Sequence, residues 1–185
     1  MNERIGALLG LVGLLLGYVC VATSIALSPW FEWERNAISD LGHAVRSEVA
    51  PILNFGLLLT GLLLMFYTVT AVRRHARWTS YSLAVSAFSL QLVAAFDEVY
   101  VFIHTAVSIA FFVSLGIASI LYAVERRSYL GATSFIIVLV TWMLYWTGAY
   151  SSGLAVPEII SSIAVSFWIA HSAIKVYVGQ TDMSR

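Results

Sequence analysis

The chain has 185 residues, of which 60% are hydrophobic and 11% charged, and its ten basic and ten acidic side chains cancel to zero formal charge. A mean hydropathy of +0.87 excludes a soluble globular domain, and the charge balance leaves no basic surface for nucleic acid. The single cysteine, Cys20, excludes an internal disulfide and a multi-cysteine metal site.

The charges interrupt apolar runs of close to the ~20 residues that a helix needs to cross a bilayer. The pattern predicts an all-α fold with one transmembrane domain over residues 1–185, an integral membrane six-helix bundle with a short amphipathic outer-side helix between spans 1 and 2. The spans are read as 5–27, 51–72, 79–96, 101–124, 130–149 and 157–178. In span 1, Gly6, Gly10, Gly13 and Gly17 recur at helical spacing and clear one face of side chains. That face lets a neighbouring backbone approach closely, either within the bundle or across a homodimer seam.

Between spans 1 and 2, the stretch PWFEWERNAISDLGH from Pro29 to His43 holds most of the polar chemistry. Trp30, Phe31 and Trp33 sit where an aromatic belt belongs. Asn36, Ser39, Asp40 and His43 fall at i, i+3, i+4 and i+7, one polar stripe on a helix over 34–44 that faces the bundle. Its other side, Ala37, Ile38, Leu41 and Ala44, suits the membrane boundary. Pro51 opens span 2, and Asn54 in its first turn is positioned to brace the preceding loop.

Span 3 carries Thr79, Ser82, Ser86 and Ser89 as a small polar stripe for close helix contact, followed by Gln91, Asp97 and Glu98 near its outer end. Span 4 begins with His104 and, one turn deeper, Ser108. An ionisable side chain inside a span is costly without a partner, so Glu98 and His104 are expected to turn toward the bundle. Trp142, Tyr145, Trp146 and Tyr150 give span 5 an aromatic outer half suited to interfacial anchoring. In span 6, Pro157 and Glu158 form the helix start, where the dipole favours a carboxylate, and His171 lies deep.

With the N-terminus inside, Arg4, Arg73, Arg74, Arg77, Arg126, Arg127, Lys175 and Arg185 are cytoplasmic, against Arg35 and Arg46 outside. The eight-to-two split predicts a multi-pass protein of the cell membrane with both termini cytoplasmic. There is no phosphate-binding glycine loop, no G-x-S-x-G turn and no H-E-x-x-H. Nor is there an internal repeat or a mid-span break of the transporter kind.

The runs RNAISDLG from Arg35 to Gly42 and NFGLLLTG from Asn54 to Gly61, with the F-D-x(6)-H pattern from Phe96 to His104, resemble the six-span membrane family called domain of unknown function 998. The resemblance covers nearly the whole chain and implies a six-helix bundle with a shared outer-side polar cluster, but no activity. A more distant similarity to membrane hydrolases of the alkaline ceramidase type implies Ser, Asp and His gathered around zinc. Where those proteins carry an H-x-x-x-H pair on the last span, this chain has only His171.

The candidate site is an outer polar cluster of Asn36, Ser39, Asp40, His43, Asn54, Gln91, Asp97, Glu98 and His104, with Asp40 and His104 the pair expected to touch. Read first as non-catalytic, the cluster locks the outer loop or binds a lipid or small ligand, with membrane lipids as partners and no cofactor expected. The alternative is a metal-assisted lipid hydrolase with Asp40, His43 and His104 on zinc and Glu98 as general base. The second alternative is transport of protons or small solutes along the same groups as a relay, although His171 alone continues it inward.

Overall fold

The computed structural model describes residues 2–179, so Arg185, one of the basic residues assigned to the cytoplasm, lies outside the described residues. The described residues form six long helices: α1 Glu3–Ala26, α2 Ala50–His75, α3 Arg77–Ala95, α4 Val101–Arg126, α5 Tyr129–Trp146 and α6 Ala155–Val178. Each packs on the next in sequence, and α6 returns to pack on α1, so the bundle closes into a ring. Local signals set the helix ends. Asn2 Oδ1 caps α1 by accepting from Arg4 N at 3.2 Å, Pro51 sits in the first turn of α2, and Gly179 ends α6 at φ +79°.

Polarity is distributed as lipid requires. Large apolar side chains such as Leu15, Phe55, Phe102, Ile109 and Phe167 face outward and exposed, whereas Thr60, Ser86, Ser114, Ser119 and Ser134 are buried between helices. Those hydroxyls bond backbone carbonyls, as in Ser86 to Phe111 O at 3.4 Å across α3 and α4 and Ser134 to Ala164 O across α5 and α6, and half-buried Ser82 adds a bond to Ser114 O at 2.7 Å. Five of the six helices are long and apolar enough to cross a membrane. The exception to the six expected spans is α3, whose Thr79, Ser80, Ser82, Ser86, Ser89 and Gln91 lower its hydropathy. Because α3 packs between α2 and α4, most of these groups face protein rather than lipid.

The glycine face of α1 is occupied within the chain. Side chains added at Gly10, Gly13 and Gly17 would meet Tyr67, Leu63 and Thr60 of α2, and one at Gly6 would meet Thr70. The seam named for a homodimer is therefore filled by α2, the close approach that small residues permit.

One end of the ring gathers most of the basic residues, with Arg35 and Arg46 on the opposite side. Glu3 accepts from Arg74 at 2.6 Å and pairs with His75 at 2.9 Å. Glu125 at the end of α4 accepts from Trp78 N, Thr79 N and Thr79 Oγ1 at 2.9, 2.8 and 2.6 Å, capping α3 from a neighbouring helix. Above this end, Trp168 is fully buried, stacks on Tyr122 at 4.4 Å and donates to Ser119 Oγ at 3.0 Å. The opposite end is closed by residues 28–49. The helix expected over 34–44 is here a single 3-10 turn, Ile38–Gly42, in a chain of bends.

Candidate functional site

The turn Ile38–Gly42 is gripped by three elements. Ile38 N donates to Glu158 of α6 at 2.7 Å, Ser39 Oγ donates to Glu98 before α4 at 2.6 Å, and Asn54 Nδ2 of α2 donates to Gly42 O at 2.8 Å. Inside the strap, Asp40 Oδ2 accepts from Asn36 Nδ2 at 2.9 Å and Ala37 N at 2.8 Å, while Asn36 Oδ1 accepts from Glu32 N at 2.8 Å. Hydrogen bonds to a charged partner contribute about 1.5–3 kcal/mol each, so these contacts decide the loop's position. The loop before α6 adds two backbone bonds, Gly153 N to Trp33 O and Ala155 N to Asn36 O, both at 2.9 Å. A side chain at Gly153 would collide with the backbone of Asn36, so glycine permits this approach.

The turn thus brings Asp40, Glu98 and Glu158 within one another's electrostatic reach. Arg46, exposed on the strap, is a basic side chain whose field reaches Glu98. Beneath the turn the helices form a half-open cavity of about 150 Å³. Leucines, isoleucines, valines and phenylalanines form most of its wall, drawn with the turn from α1, α2, α3, α4 and α6, and α5 contributes nothing. Ile38, Ser39 and Glu158 border it at the capped end, and Ser108, Ser162 and Ser166 add hydroxyls along the wall. Tyr18 OH and Ser166 Oγ meet at 2.8 Å, joining α1 to α6 at its side.

Of the residues expected in the cluster, Asn36, Ser39, Asp40 and Glu98 are gathered, and Asn54 anchors the strap. The other four are satisfied elsewhere. His43 does not continue the stripe: the 3-10 turn advances three residues per turn and ends at Gly42, leaving His43 Nδ1 to accept from Val45 N at 3.3 Å. Asp97 caps the next turn by accepting from Val99 N at 2.9 Å, and Gln91 Nε2 donates to Ala87 O at 3.2 Å beside Gly61. His104 is buried, but its Nδ1 pairs with Phe96 O at 2.8 Å and its Nε2 lies 3.4 Å from Ser108 Oγ. The expected contact between Asp40 and His104 is therefore not made, because each has a nearer backbone partner. Asp40, His43 and His104 do not assemble as a ligand set, and among the described residues no three His, Cys, Asp or Glu side chains form a group that could hold a metal ion.

Glu158 is the member that reading the helix start alone leaves out. Its signal is present in the sequence: Glu158, Ser162 and Ser166 recur at i, i+4 and i+8, one polar line down the inner face of α6.

Residues 11–175 match the model of a family described as a protein of unknown function, DUF998. No curated protein and no solved structure matches the chain. The match spans most of the sequence, and the chain belongs to that family.

Proposed function

We propose that this member of the DUF998 family is a non-catalytic multi-pass membrane protein whose ring of helices holds a small amphiphile or a lipid chain in the cavity beneath the strap. The observation that carries the reading is the cavity, apolar along its wall and polar where Ser39 and Glu158 border it. Ligand sites in bundles have this composition, a largely apolar wall with a few convergent polar groups that fix one end of the ligand. The gripped turn is the cover, and the carboxyl contacts hold it closed. The basic residues favour cytoplasmic termini, which would turn the covered end outward from the cell membrane. A hydrolase reading needs Asp40, His43 and His104 to converge, and their separate partners give it no support.

Filling the cavity tests the proposal. Leu57 lines the wall, and Leu57→Trp would take up the space. Protein purified from membranes in mild detergent should carry a tightly bound small molecule, detected by mass spectrometry of the organic extract and depleted in Leu57→Trp. Identical extracts from the two proteins would defeat the reading.

A further inference from the structure

The structure points to the class of ligand: we infer that the cavity selects a single-chain amphiphile with a cationic amine head, which Glu158 binds. The inference rests on the cavity reading above and adds the head-group chemistry. Glu158 borders the cavity, and among the described residues its one hydrogen-bond donor is Ile38 N, to Oε2 at 2.7 Å, so Oε1 keeps acceptor capacity. Ser39 borders the same end, but its hydroxyl proton is committed to Glu98 Oε1 at 2.6 Å. With Glu158 ionised, as a cationic partner favours, the free capacity there is acceptor capacity, which suits a donor head rather than a carboxylate or phosphate.

Charge points the same way. Asp40 and Glu98 both act electrostatically on Glu158, while Arg46 acts on Glu98 from the exposed side of the strap. A cation entering from the cavity relieves the mutual repulsion of these groups, whereas an anion adds to it. An ammonium also supplies three donors on a compact head. The wall below, lined by Leu57, Leu83, Phe111 and Leu115, takes an alkyl chain and offers no counter-charge for a second ionic group.

The test uses full-length protein in nanodiscs of zwitterionic lipid, with empty nanodiscs as the partition control, and three probes of equal chain length: octylamine, octanol and octanoate. Wild-type protein should bind octylamine at least about tenfold more tightly than octanol, a difference of about 1.4 kcal/mol, with octanoate weakest. Glu158→Gln keeps the shape and an acceptor oxygen but cannot ionise beside a cation, so the amine preference should fall to within about threefold while octanol affinity holds. Leu57→Trp should abolish binding of all three probes, whereas an amine preference that survives it would put the site elsewhere and overturn the inference. Equal affinity of wild type for octylamine and octanol, or an undiminished preference in Glu158→Gln, overturns the cationic head and leaves the cavity reading standing. Failure of all three probes on wild type removes both. Should Glu158→Gln not fold, the wild-type comparison still decides the head-group class.

Discussion

At the scale of single residues, Asp40 shows how a buried-side carboxylate can be a strut. Its Oδ2 accepts from Asn36 Nδ2 and Ala37 N, and these bonds hold the start of the turn that Glu158 and Glu98 grip from outside. Removing the carboxylate leaves two donors without their charged partner, a cost of about 2–3 kcal/mol, or about 4–12 °C in a chain of this size. Asp40→Ala should lower the melting temperature of the purified protein by that amount, equally in chelator and in added zinc. A loss reproduced in wild type by chelation alone, and reversed by zinc, would mean that a metal rather than hydrogen bonding holds the strap. The sequence spacing makes Asn36, Ser39 and Asp40 legible as a group because short-range contacts within five residues survive a change of helix type. His43 was not legible in the same way, since an i+7 relation holds only if the helix continues.

The elements differ in how their ends are stabilised, and α3 depends most on another helix. Its first turn follows Ala76, which has no side-chain cap to offer, and the orphan amides of Trp78 and Thr79 are met by Glu125 from the last turn of α4. The hydroxyl of Thr79 uses the same carboxylate. Nothing in the local sequence of α3 announces this, because a cap from 46 residues away leaves no pattern at short range. Glu125→Ala should cost about 1–2 kcal/mol, the value of a lost N-cap, and should appear as faster hydrogen exchange confined to the amides at the start of α3. Exchange unchanged there would show that the carboxylate is dispensable to the helix start. The 3-10 turn is the converse case: Ile38 and Leu41 mark an apolar side in the sequence, but the turn is kept short by contacts from α2, α6 and the turn before α4 that only the closed ring supplies.

At the scale of the whole molecule, hydropathy makes the six helices and their chain order legible, while ring closure and the cavity depend on which faces meet. The polar stripe of α3 is the point at which composition and packing disagree. By composition that helix falls short of a membrane span, yet its hydroxyls are spent on α4, as in Ser82 to Ser114 O at 2.7 Å and Ser86 to Phe111 O at 3.4 Å. Interhelical bonds of this kind lower the cost of carrying serine through a bilayer. The bond from Ser39 to Glu98 gives an independent constraint, because it fixes the loop after α1 and the turn after α3 at the same end of the ring. If α3 spans, Glu34 and Val99, both exposed, must therefore lie on one side of the membrane, and exposed Arg74, between α2 and α3, on the other. Single cysteines at these three positions in a Cys20→Ala background decide it with a membrane-impermeant maleimide on intact cells. Glu34→Cys and Val99→Cys should label from outside, and Arg74→Cys only after permeabilisation, with the basic end in the cytoplasm. Val99→Cys labelling together with Arg74→Cys would make α3 a helix that does not cross, and would separate Ser39 from Glu98 by the thickness of the bilayer.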